Sequence, residues 1–187
     1  NFAKAGAPIN CGKDLWFQMN PLQPGLNRVE ADELSYGLHI LIRTDLEIAL
    51  LEQGLSVDDL PLEWNNRYKD LLGIQPSTDT EGCLQDVHWS EGLFGYFPSY
   101  LLGHLISAQL SEAMAKDLGK PENDPISDCI REGNEHLLLG WLRKKVHPEG
   151  RKMNAEVLVK KVSGSPLSSS PFITYLKKKI ELLNAYS

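Results

Sequence analysis

Apolar residues recur at helical spacing along most of this chain, and that property narrows what it can fold into more than any other. Between residues 29 and 53, Leu34, Leu38, Leu41, Asp45 and Ala49 fall on one stripe, broadened by Ile42, Leu46 and Leu50. Gly54 is a natural stop for that helix. Ser56-Val57-Asp58-Asp59 sets an acid three residues after a hydroxyl and predicts a second helix, through Leu60, Trp64, Tyr68 and Leu71-Leu72 to Gly73. A third long helix is expected from about Pro98 to Leu118, carrying Leu101, Leu105, Ala108 and Glu112 on its period and ending at Gly119 and Pro121. Another follows from about Pro125 to Lys145, with a break at Gly133. Asn154 caps a short helix to Val162, and Ser170-Pro171 opens a last one to about Leu183. Residues 1 to 27 are rich in Gly, Pro and Asn and read as an irregular lead-in with a short element near Leu15 to Met19. The segment from 74 to 95 is interrupted by Pro76, Gly82, Gly92 and Gly95 and reads as loop, with short strands near Cys83 to Val87. Residues 163 to 170 form a Ser/Gly/Pro linker. The class is mainly α, with a small β element near residues 82–89.

Composition removes several functions. The formal net charge is -6, and the basic runs Arg143–Lys145 and Lys177–Lys179 are short, so no nucleic-acid surface is expected. No apolar run approaches the ~20 residues that span a bilayer, so no membrane partner is expected. Cys11, Cys83 and Cys129 form an odd set without a C-x-x-C pair, which fits a reducing compartment and a cytoplasmic location rather than a disulfide framework. The chain starts at Asn1 with neither an initiator Met nor a signal-peptide pattern, which fits simple processing and also a chain whose front half is missing.

Three segments carry chemistry. Gly82-Cys83-Leu84-Gln85-Asp86-Val87-His88-Trp89 packs an amide, a carboxylate, an imidazole and an indole together. If extended, it turns Asp86 and His88 to the same face, where Asp86 fixes the tautomer of His88. Taken alone, His88 reads more readily as an ordinary polar loop residue. Gly92-Leu93-Phe94-Gly95-Tyr96-Phe97-Pro98-Ser99-Tyr100 joins glycines to two tyrosines four apart, before a helix. Those phenols fit either core packing or donation to an oxyanion. Arg28, Asp32, Tyr36, His39 and Arg43 recur at spacings of four, four, three and four and make one polar helical stripe. Arg28 there is either a clamp for a carboxylate or half of a surface pair with Asp32.

Taken together, these residues resemble the carboxypeptidase Taq family. Gly82-Cys-Leu-Gln-Asp-Val-His-Trp89 matches the family pattern G-x-x-Q-D-x-H-W, and Arg28-Val-Glu-Ala-Asp32 matches most of I-R-x-x-A-D, with Asn27 in place of the usual Ile. Glu33–Glu47, Leu55–Pro61, Gly92–Gly103, Trp141-Leu-Arg and Val146-His-Pro-Glu-Gly150 also look like family sequence, and the likeness covers about residues 17–180. It implies a zinc-dependent exopeptidase that removes single C-terminal residues from peptides. The implied fold is largely helical, with a deep cleft and a small sheet, and members are commonly homodimers. The family binds zinc through H-E-x-x-H and a later Glu. Here His39, His88, His104, His136 and His147 are never followed by Glu and never stand four apart. The family's H-P-F and D-x-R-x-T motifs are missing as well. The expectation is therefore a single C-terminal fragment of a larger catalytic domain, residues 1–27 leading into a helical body at 28–187. Its zinc ligands lie outside the chain, so it is inactive alone and has the missing N-terminal half of the same protein as a partner.

The resemblance also implies roles. Arg28 grips the terminal carboxylate of a peptide with a free C-terminus, and Gln85 and His88 contact the bound peptide. Tyr96 stabilises the tetrahedral oxyanion, and Tyr100 is a second substrate contact. Asp86 orients His88, and Asp32 supports the Arg28 segment. Trp89, Cys83, His104, His136 and His147 are expected to be structural. The competing reading is a non-catalytic peptide-binding or dimerisation module, a truncated pseudoenzyme.

Overall fold

The computed structural model describes residues 12–119 and 125–185. Their helices are α1 (Gly12–Met19), α2 (Glu33–Glu52), α3 (Leu60–Leu72), α4 (Pro98–Asp117), α5 (Pro125–Arg131), α6 (Glu135–Lys145), α7 (Ala155–Ser163) and α8 (Ser170–Asn184). Short 3-10 turns stand at Arg28–Glu30, Val57–Asp59 and His147–Glu149. The mainly α class therefore holds. Cys11 and Pro121 lie outside the described residues. The chain divides into two compact units, one within Asn1–Leu101 and Ile180–Ser187, the other within Leu102–Lys179.

Local chemistry sets the helix ends. The Asp32 carboxylate caps α2 by accepting from the N–H groups of Leu34 and Ser35, both at 2.9 Å. The Ser56 hydroxyl accepts from the Asp58 N–H, so it opens the 3-10 turn, and α3 begins only at Leu60 with Pro61 in its first turn. Gly73 ends α3 at φ +72, where any side chain would be strained. Asn154 caps α7 through the Val157 N–H.

In the first unit α2 packs on α3. Ile42 and Leu46 meet Leu60, Trp64, Tyr68 and Leu72, with Cys83 from the following loop. The buried face of α2 is rotated from the expected stripe: Leu41 is 44% exposed and Asp45 is exposed, while His39, Arg43 and Glu47 are buried. The segment expected to form a small strand instead turns on itself. The N–H of Gly82 and that of Leu84 both reach the Asp79 carbonyl, and the Leu93 N–H reaches that of His88. These groups are satisfied locally and offer no ladder to a partner strand, and no strand occurs among the described residues.

In the second unit α5 and α6 are separate helices, parted at Gly133 with φ +69, where the sequence predicts the break. Trp141 on α6 donates its indole N–H to Asp117 at 2.8 Å. The Ser/Gly/Pro linker is tied down by Gln109 of α4. Its amide N–H2 donates to the Ser163 hydroxyl and the Pro166 carbonyl, and its carbonyl accepts from the Ser168 N–H.

Candidate functional site

The turn Gly82–Trp89 lies against α2 because of one carboxylate. Asp86 accepts from Arg28 through Nε at 3.1 Å and Nη2 at 2.7 Å, both on Oδ1, and from Arg43 through Nε at 2.6 Å on Oδ2. Arg28 reaches it from the 3-10 turn that Asn27 caps through the Val29 N–H. Arg43 is fully buried on α2, with its guanidinium 4.7 Å from the centre of the Trp64 ring. Gln85 completes the frame. Its carbonyl accepts from Arg43 Nη2 at 2.9 Å and from the Arg28 backbone N–H at 3.2 Å. Its amide donates to the carbonyls of Leu26 and Glu81.

Burial pushes the Asp86 carboxyl up, but the hydrogen bonds and charges of Arg28 and Arg43 outweigh it and hold the group below the usual carboxylate range. Burial opposes charge on Arg28 as well, yet Asp86 keeps its pKa raised. The trio keeps one positive charge in excess.

Behind Arg43 sits His39, fully buried. The Tyr68 hydroxyl lies 3.2 Å from the Leu26 carbonyl and 3.0 Å from His39 Nδ1, and its oxygen accepts from Arg43 Nη1 at 3.3 Å. His39 Nε2 has no hydrogen-bond partner among the described residues. Burial first, and then the charge of Arg43, pull the His39 pKa down from 6.5 to about 4.

In front of Arg28 stands an aromatic wall. His88 Nε2 is 3.1 Å from the Tyr100 hydroxyl, and its ring lies 5.6 Å from that of Tyr96 and 4.3 Å from that of Phe97. The Arg28 guanidinium is 5.0 Å from the centre of the Tyr100 ring. Tyr96 is 47% exposed, whereas His88 is buried.

The structure thus brings Arg28, Gln85, Asp86, His88, Tyr96 and Tyr100 together. Asp32 does not join them: it caps α2, and the Arg28–Asp32 pair does not form. Asp86 lies 3.8 Å from His88 Nδ1, beyond hydrogen-bond range, because both of its oxygens are taken by guanidiniums. Two residues without an assigned role belong to the arrangement. Arg43 closes the polar stripe, and Glu47 stands one further step of four along α2. The indole N–H of Trp89 donates to Glu47 at 2.9 Å, and the Gly95 N–H donates to it at 3.0 Å. The signal for Glu47 was the continued spacing 39, 43, 47.

A family model for the carboxypeptidase Taq (M32) metallopeptidases matches residues 5–180. The chain belongs to this family. It is 43% identical over 171 residues to thermostable carboxypeptidase 1 of Thermus thermophilus, covering 91% of this chain and 32% of that protein. It is 46% identical over 161 residues to carboxypeptidase 1 of Bacillus subtilis, covering 86% of this chain and 31% of that protein. Trypanosoma cruzi metallocarboxypeptidase 1 superposes with a TM-score of 0.85 at 34% identity, over 92% of this chain and 35% of that one. The M32 carboxypeptidase of Deinococcus radiodurans gives 0.84 at 33% identity, over 92% and 34%. The chain spans about a third of the length of the curated relatives it matches.

The family is one of metallopeptidases, and among the described residues no three His, Cys, Asp or Glu side chains gather as a metal-holding group. Asp86 and His88 do not fit a metal ion, because the carboxylate is already shared by two cations. No helix among the described residues is long and apolar enough to cross a membrane.

The buried imidazole sets a pH dependence. Above about pH 6.5 His39 is neutral in both folded and unfolded chains. Between 6.5 and about 4 the unfolded chain binds a proton that the folded one rejects, so stability falls as pH falls. The loss amounts to at most about 3 kcal/mol and is complete below the folded pKa. Denaturant unfolding of the protein and of His39→Gln at about pH 7 and about pH 5 isolates this contribution. The variant should lose less stability on acidification than the parent. Equal losses would contradict the assignment.

Proposed function

We propose that this chain is the substrate-binding C-terminal part of a zinc-dependent metallocarboxypeptidase that releases single C-terminal residues from peptides. In this reading residues 1–187 are one part of a larger catalytic domain. The zinc ligands belong to the remainder of the protein, and this part is inactive alone. A cytoplasmic, homodimeric enzyme acting on peptides with a free C-terminus is part of the same proposal.

The observation that carries it is the positively charged trio of Arg28, Arg43 and Asp86 beneath an aromatic wall with one open phenol. An exopeptidase must tell a chain end from a mid-chain amide, and an excess cation beside the bound chain end would do that. Arg28 meets Asp86 through Nε and Nη2, while its Nη1 has only the Tyr36 hydroxyl at 3.5 Å. The Nη1–Nη2 edge is the one a substrate carboxylate would take. Gln85 has both amide ends engaged, so it acts by holding Arg28 and Arg43 in place. Contact with the peptide falls to His88, Tyr100 and Tyr96. Tyr96 donates its O–H to the oxygen that gains charge as the amide carbonyl becomes tetrahedral.

Both roles are open to test in the full-length, zinc-loaded enzyme containing this chain. Tyr96→Phe should lower kcat about 10²-fold or more. An unchanged kcat would remove the phenol from the chemistry. Arg28→Ala should raise KM and erode the preference for a free over an amidated C-terminus, since Arg43 still neutralises Asp86. Undiminished discrimination would mean that another group is the clamp.

A further inference from the structure

Glu47 is only 4% exposed, and none of the ion pairs of the described residues involves it. Burying a carboxylate without a cation is costly unless strong donors meet it. The two donors it has are chosen from distant points of one loop. Oε1 accepts from the Trp89 indole at 2.9 Å, and Oε2 from the Gly95 N–H at 3.0 Å. Trp89 directly follows His88, and Gly95 directly precedes Tyr96. Between them the loop closes on itself, the Gly92 N–H reaching the Trp89 carbonyl and the Leu93 N–H the His88 carbonyl. Gly95 stands at φ +76, so the backbone turns sharply just where its N–H is held. One side chain on α2 therefore fixes the residue after the imidazole and the residue before the phenol.

We propose that Glu47 is a positioning residue that sets the Tyr96 phenol relative to His88 and Arg28. This rests on the reading of Tyr96 as the oxyanion donor. A glutamine has the same shape but offers one acceptor and one N–H2 group. Whichever way its amide is turned, one of the two loop donors faces another donor. The loop then loses an anchor at one end, and the phenol no longer stands where the transition state needs it.

The test is a double-mutant cycle in the full-length, zinc-loaded enzyme, with Glu47→Gln, Tyr96→Phe and the pair, on a peptide with a free C-terminus. Zinc content and unfolding midpoint accompany each variant. E47Q should lower kcat about tenfold or more with KM changed less than about twofold. In the Y96F background the same substitution should cost less than about twofold, because its route to the chemistry is already gone. A merely structural residue would slow both backgrounds alike. Multiplying losses, or E47Q at parental speed beside a slow Y96F, would overturn the positioning role alone. Parental turnover in Y96F would remove Tyr96 from the mechanism and this role with it. If E47Q does not fold, Glu47→Asp carries the same cycle, since it keeps the charge but is one methylene too short to span both donors.

Discussion

The first unit depends on one carboxylate held between two guanidiniums. Arg28 comes from a turn before α2, Arg43 from its middle, and Asp86 from a loop 43 residues further on, and the three meet at 2.6–2.7 Å. Removing the carboxylate from such a buried arrangement typically costs about 3–5 kcal/mol, because two guanidiniums are left without a counter-charge. The trio's excess positive charge lies against the aromatic wall, and Gln85 ties the Arg43 guanidinium to the Arg28 backbone N–H and to the carbonyls of Leu26 and Glu81.

The same helix organises the rest. Steps of four along α2 place His39 against Tyr68, Arg43 against Asp86 and Gln85, and Glu47 against Trp89 and Gly95. Each side chain meets a different part of the chain, so α2 acts as the rail on which the loop is mounted. A loop held this way is preorganised, its side chains fixed by the helix it lies against.

Much of this was legible in the sequence, for physical reasons. Helix limits follow local chemistry, so Asn154, Pro98, Gly73 and Gly133 stand where capping and turn rules put them. Arg28, Gln85 and His88, which the structure brings together, were picked out by resemblance to two family motifs, I-R-x-x-A-D and G-x-x-Q-D-x-H-W. What stayed hidden depends on distant partners. A polar stripe on a helix looks solvated until Asp86 arrives to bury it. An alternating loop looks extended until its N–H groups find carbonyls a few residues back. Nothing near Asp86 in the chain says that two arginines will take both of its oxygens ahead of His88. Glu47 looks like any acidic residue late in a helix until its two donors are known.

Membership of the M32 family and a length of about a third of the relatives frame the central claim, that this chain supplies substrate recognition and the rest of the protein supplies zinc. The competing reading is a module that binds peptide or dimerises without catalysis. The most direct measurement is metal content together with C-terminal residue release, made on this chain alone with zinc or cobalt added and on the full-length protein. The account predicts no tightly bound metal and no release from the chain alone, and stoichiometric zinc with release from the full-length protein. Stoichiometric zinc with release of C-terminal residues by the chain alone would contradict it.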